Sequence, residues 1–283
     1  MLLVPVLDVF AKLLGQTLHP VEVTFMRFLV QILLMAPFVI WARLWFVPEG
    51  TALLQLGRGF LLAIATACFF GALQKLPMAE AISIYFAQPL ILTVISAIFL
   101  GETIKFRRII TILFGLLGVS VILRPSLVEF GWAALLPLAS ALSMAGYIAI
   151  TRKLAGHAHP YQMQFLVGVT AATVLGSIIL VDEILDIFRI QFVIPNTKEL
   201  EWIFYMGLVA TIGHIFIVWA TRNAQANVLA PFQYVEIVST VFLGYLVFGD
   251  TPAMTTVIGV TIIILSGIYL LHREHLTSHS SEN

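Results

Sequence analysis

Charge is scarce in this chain. Lys, Arg, Asp and Glu make up 11% of its 283 residues, against about 25% in soluble domains. Apolar residues take up 60%, more than a soluble globule of this length can hide, so the composition describes a polytopic membrane protein. The net charge is zero, which removes a nucleic-acid partner argued from basicity. Cysteine is almost absent: Cys68 stands alone in an apolar segment, leaving neither a disulfide framework nor a Cys-based metal motif. No Gly-x-x-x-x-Gly-Lys loop is present to take ATP. His-Glu-x-x-His, Gly-x-Ser-x-Gly and paired aspartates in adjacent spans are missing too, which argues against an intramembrane enzyme. No cofactor or metal is implied.

What remains is a series of apolar runs. A spanning helix needs about 20 mainly apolar residues, and we read about ten spans: 2–15, 22–46, 55–73, 78–100, 106–124, 128–150, 161–182, 201–221, 227–248 and 252–271. Turn chemistry separates them, as at Pro48-Glu49-Gly50, Arg124-Pro125-Ser126 and Gly249 to Pro252. The first run, Met1 to Leu14, has no basic residue ahead of it and no cleavage-like site. It is short for a span, and we expect that its start lies late, with upstream residues missing.

The chain repeats itself. Ala72 to Leu123 maps onto Ala220 to Leu271 without a gap, with Gly101-Glu102-Thr103 falling on Gly249-Asp250-Thr251. Lys12-Leu13-Leu14-Gly15 and His19-Pro20 are echoed by Lys153-Leu154-Ala155-Gly156 and His159-Pro160. The expected plan is all-α: two five-helix repeats, 1–124 and 128–271, and a polar cytoplasmic tail, 272–283. An odd number of spans per half inserts the second half upside down, and sites in such proteins lie between the inverted repeats. Even-numbered loops and the C-terminus carry nine Lys and Arg, Arg58, Lys105, Arg107 and Arg108 among them, and odd-numbered loops carry five. The even side is therefore expected to be cytoplasmic, with both termini inside.

Ionisable groups within spans are expensive unless paired or wetted, so each is a functional candidate. Asp8, Arg27, His214 and Glu236 qualify. Asp8 and Lys12 are four apart and able to pair on one helix face; Arg27 and Gln31 share another. Gln233, Glu236, Thr240 and Gly244 lie on one stripe of the ninth span, and their repeat counterparts Tyr85, Gln88, Leu92 and Ser96 on a stripe of the fourth. Ser140, Ser143, Tyr147 and Thr151 add a stripe on the sixth, and Thr211 with His214 one on the eighth. Such stripes face one another or a wet cavity. The competing reading is structural: hydroxyls that serve helix packing, an Arg27 neutralised by Asp8 or Glu236, a His214 that bonds a neighbouring helix.

Tyr85-Phe86-Ala87-Gln88-Pro89-Leu90, Phe99-Leu100-Gly101-Glu102, Arg107-Arg108, Gly115, Gly118 and Leu123-Arg124-Pro125 resemble the drug/metabolite transporter superfamily, EamA family. Ala230-Pro231-Phe232, Gly244-Tyr245 and Phe248-Gly249-Asp250 agree in the second half, with Asp250 standing where the family usually carries Glu. Asp8, Lys12 and Phe25-Met26-Arg27-Phe28 are similar to the branch that includes riboflavin and S-adenosylmethionine uptake carriers. The resemblance implies ten helices in two inverted repeats, alternating access, and a cavity lined by the fourth and ninth spans.

These readings together describe a secondary carrier of a small organic metabolite in the inner membrane, with the lipid bilayer as its other partner. Glu236, Gln88, Tyr85 and Gln233 are expected to line the substrate site, with Arg27, His214 and Tyr147 beside them. Glu236 and Asp8 are the candidates for proton coupling. A carboxylate suits a cationic cargo and Arg27 an anionic one; together they permit a zwitterion. An exporter of amino acids or drugs and a facilitative channel are the alternatives, and both a monomer and a homodimer remain open.

Overall fold

The computed structural model describes residues 3–44, 47–100, 106–154, 156–187, 190–223 and 226–279. At 100, 106–109, 111, 221–223, 226–235, 267 and 269–279 it describes the backbone alone. The helices are α1 (Val4–Leu14), α2 (Pro20–Trp41), α3 (Ala52–Leu73), α4 (Met78–Tyr85), α5 (Gln88–Leu100), α6 (Phe106–Phe130), α7 (Leu136–Lys153), α8 (Pro160–Leu185), α9 (Thr197–Asn223), α10 (Ala226–Phe248) and α11 (Met254–His279), with a 3₁₀ turn, Gly131–Leu135, before α7. No strand occurs among the described residues.

Six stretches among the described residues are long and apolar enough to cross a bilayer: Pro20–Trp41, Ala52–Leu73, Met78–Phe99, Ile112–Lys153, Pro160–Leu185 and Thr197–Ala220. Each 22-residue helix spans about 33 Å, enough for a hydrocarbon core of about 30 Å. Glu236–Phe248 and Met254–Ser266 are shorter apolar helices. The expected ten spans are therefore only partly reached.

One reason is that Arg124-Pro125-Ser126 does not break the chain. The α6 helix runs on through Pro125 to Phe130. Proline removes a single donor, and Ser126 Oγ, which lies 2.9 Å from the Ile122 carbonyl and 3.3 Å from Glu80 Oε2 on α4, ties the extension to its neighbour. At the other end, α11 continues to His279, so the expected tail is helical over much of its length.

The echo at His-Pro has a structural counterpart. His19 and His159 both take extended backbone before a proline at the first helical turn, and each ring accepts from the amide two residues on, Val21 at 3.3 Å and Tyr161 at 3.4 Å. The same local chemistry starts α2 and α8, and these two helices pack against each other.

The helices pack with their polar residues inward and large apolar ones outward. Leu33, Phe38, Ile98, Phe99, Leu180 and Ile184 are exposed, whereas Asp8, Arg27, Gln31, Arg58, Gln88 and Glu236 are buried. Lipid is the solvent that accepts this arrangement. Close backbone approach holds it: a Cβ at Gly118 on α6 would lie 2.8 Å from the Gly259 carbonyl of α11, and one at Gly259 2.7 Å from that of Gly118. Small residues at such contacts are the usual means by which membrane helices associate.

Candidate functional site

The fourth expected span is not continuous. It is interrupted between α4 and α5, at Phe86 and Ala87, within the Tyr85-Phe86-Ala87-Gln88-Pro89 run. Pro89 cannot donate to the Tyr85 carbonyl and disfavours helical backbone at Gln88. The chain tightens into three-residue bonds, Ala87 N to Ile84 O (3.1 Å) and Leu90 N to Ala87 O (3.1 Å), before resuming. Tyr85 and Gln88 sit on this interruption. Half-buried Tyr85 is held by the Phe69 ring at 5.1 Å, and buried Gln88 has an Nε2 without a partner.

Opposite α4 lies α10, carrying Glu236 and Thr240, both buried, with Thr240 Oγ1 unpartnered. Asp8 on α1 is buried with Oδ2 unpartnered, and Arg27 on α2 is buried with Nε unpartnered. These groups are near enough to act on one another: the charges of Glu236 and Arg27 both reach Asp8, and those of Glu236 and Asp8 reach Tyr85. Arg27 donates Nη1 to Thr66 Oγ1 on α3 (3.2 Å) and lies over the Phe28 ring at 4.5 Å. Among the described residues none of Asp8, Arg27 and Glu236 is in an ion pair.

His214 on α9 lies in the fields of Arg27 and Arg58, with a buried, unpartnered Nδ1. Its ring meets Tyr147 on α7 edge-on at 6.1 Å. The structure thus gathers Asp8, Arg27, Tyr85, Glu236, His214 and Tyr147 into one connected polar region. The Gln233 side chain lies outside the described residues.

Other stripe residues serve packing. Ser140 Oγ donates to the Ala65 carbonyl across to α3 (2.6 Å), and Thr211 Oγ1 to Gly207 O within its own helix (2.7 Å). Gln31 reaches across to the Gln164 carbonyl on α8 at 2.8 Å.

Two features escape a linear reading. Lys12 does not pair with Asp8: its Nζ lies 2.5 Å from Asp250 Oδ2, which also accepts from the Met78 amide at 3.0 Å. Arg58, counted with the loop cations, is fully buried in α3. The expected span 55–73 already contained it, and its apolar neighbours Leu56 and Phe60 were the available signal. Removing it narrows the even-side excess of positive charge by one.

The sequence pattern of the EamA-like transporter family matches residues 2–124 and again 131–272. The chain belongs to this family. An S-adenosylmethionine uptake transporter of Rickettsia prowazekii (strain Madrid E) is 26% identical over 267 residues, covering 94% of this chain and 88% of that protein. Pseudopaline exporter CntI of Pseudomonas aeruginosa (strain UCBPP-PA14) is 28% identical over 268 residues, 94% of this chain and 90% of that one. A riboflavin transporter of Rhizobium johnstonii (strain DSM 114642 / LMG 32736 / 3841) is 26% identical over 220 residues, 78% and 70%. A solved crystal structure shares the fold at a TM-score of 0.62 and 18% identity, over 95% of this chain and 97% of that one. The family and these relatives are transporters, and the small-molecule cargoes differ between them.

Proposed function

We propose that this EamA-family chain is a secondary carrier moving a small zwitterionic metabolite across the bacterial inner membrane by alternating access. On this reading α4 and α5 are two halves of one span, ten spans form two inverted repeats, and both termini face the cytoplasm. One observation carries the cargo assignment: two buried carboxylates, Asp8 and Glu236, and a buried guanidinium, Arg27, converge without an ion pair among the described residues. Buried charges need compensation, and a cargo bearing both signs supplies it. Glu236, Gln88, Tyr85 and Gln233 line the cationic side. The interrupted α4–α5 span is the kind of discontinuous helix from which carriers build midplane sites.

S-adenosylmethionine, named for one relative, has the fitting chemistry, with ammonium and sulfonium cations and a carboxylate. Riboflavin, named for another, is uncharged and leaves the carboxylates uncompensated. The test is counterflow of labelled S-adenosylmethionine in proteoliposomes. Saturable uptake driven by internal unlabelled compound is expected, because a channel gives no counterflow, and Glu236→Gln should abolish it. Full, pH-dependent accumulation by Glu236→Gln would remove Glu236 from cargo and proton binding alike.

A further inference from the structure

Arg58 is a buried charge that the cargo reading leaves without a role. All of its described acceptors are neutral. Nε donates to Thr151 Oγ1 at 2.8 Å, Nη1 to Gln55 Oε1 at 3.3 Å and to the Met163 carbonyl at 3.1 Å, and Nη2 to the Tyr147 hydroxyl at 3.1 Å. The guanidinium also lies over the Tyr147 ring at 5.0 Å. A guanidinium has five N–H donors, so one on Nη2 is uncommitted, and no carboxylate within ion-pair distance neutralises the charge among the described residues. A buried cation held this way is costly compared with an apolar residue of similar volume.

A second guanidinium, that of Arg27, is within the electrostatic reach of Tyr147, and His214 lies in the fields of both arginines. Arg27 Nε and His214 Nδ1 are buried and unpartnered. The Tyr147 hydroxyl thus lies among Arg58, Arg27 and the His214 imidazole, and the charge of Arg27 also reaches Asp8.

We propose that Arg58, Arg27, Tyr147 and His214 form a carboxylate-binding subsite, so that the cargo must carry a carboxylate in addition to its cation. This deepens the zwitterion reading and rests on it. Neutral oxygens hold the Arg58 guanidinium while leaving its charge and one Nη2 donor for the ligand, and a carboxylate oxygen accepts such a charge-assisted hydrogen bond. The position also explains why α3, which contributes none of the residues expected to bind cargo, carries a cation at its seventh residue.

Thermal unfolding of the purified full chain tests this with pairs that keep or lose the carboxylate: methionine against methioninamide, arginine against argininamide, and S-adenosylmethionine against its decarboxylated form. The acid of at least one pair should raise the apparent melting temperature, with about 10- to 100-fold tighter apparent binding than its partner, the scale of a charge-assisted hydrogen bond. Arg58→Lys keeps the charge and loses the placed Nη2 donor; it should reduce that preference to below roughly threefold. Tyr147→Phe keeps the ring but removes the hydroxyl that positions Arg58 Nη2, so the acid preference should fall in it as well, and it serves as the gentler variant should Arg58→Lys fail to fold. A merely structural Arg58 would lower the melting temperature and leave the acid preference intact.

Acids and amides that stabilise equally, or no pair that separates, overturn the subsite. So does an acid preference unchanged in both variants. Counterflow reports separately on the cargo. Acid-selective binding without S-adenosylmethionine counterflow keeps the subsite and rejects that cargo, whereas counterflow without acid selectivity keeps the carrier and rejects the subsite.

Discussion

Lys12 on α1 and Asp250 in the connection before α11 form an ion pair at 2.5 Å across 238 residues of sequence. The pair joins the two halves of the chain. Asp250 also accepts from the Met78 amide at the start of α4, and Lys12 lies over the Phe248 ring at 4.7 Å. Three segments meet there, and Asp8, one turn along α1 from Lys12, is left unpaired for the polar region inside.

Because the pair is only partly shielded from solvent, its worth is modest, about 1 kcal/mol. Asp250→Asn should lower the unfolding temperature in detergent by a few degrees. Exchanging the charges, Lys12→Asp with Asp250→Lys, should recover part of the loss, giving a coupling of roughly 0.5–1 kcal/mol in a double-mutant cycle. Zero coupling would mean that Asp250 acts through the Met78 amide alone.

The α6–α11 contact should be far less forgiving. Gly118→Val places a branched side chain where even a Cβ meets the Gly259 carbonyl at 2.8 Å, and a loss of about 1–3 kcal/mol follows from overpacking. Gly213→Ala is the control: a Cβ there meets nothing within 4 Å. It should be neutral or gain a few tenths of a kcal/mol from helix propensity. Equal loss in both variants would contradict the packing described.

Pro89→Ala should repair the interruption of the fourth span. Alanine restores an N–H able to reach the Tyr85 carbonyl, so stability should hold or rise by about 1 kcal/mol. Cargo counterflow should fall roughly tenfold, the equivalent of about 1.4 kcal/mol lost at one misplaced polar contact. Undiminished transport would show that the break does not position Tyr85 and Gln88 for cargo.

Orientation is open to a direct check. With both termini cytoplasmic, a C-terminal green fluorescent fusion should be bright and a C-terminal alkaline phosphatase fusion inactive. The opposite pattern would reverse the assignment that the loop cations support.

The sequence by itself determined the solvent and the class of fold. An apolar content of 60% with 11% charge points to a bilayer, and apolar runs of about 20 residues select helices that satisfy their own backbone. It also located most of the interior, since a charge inside an apolar run is legible wherever hydropathy is high. Asp8, Arg27, His214 and Glu236 were visible for that reason, and the structure brings them together.

Tertiary structure decided the partners. Spacing along one helix made Asp8 available to Lys12, yet packing of α1 near the connection after α10 gave Lys12 to Asp250, a choice no local pattern encodes. Pro89 and Pro125 look alike in sequence, but one accompanies a helix break and the other lies within a continuous helix. The difference lies in neighbours: Ser126 fastens the α6 extension to α4, whereas the break at Phe86 and Ala87 adjoins the polar interior. Arg58 was misplaced because a cation near a span end ordinarily reaches water; here Thr151, Tyr147 and Met163, from two other helices, hold it inside. Such long-range contacts exist only once the helices have packed.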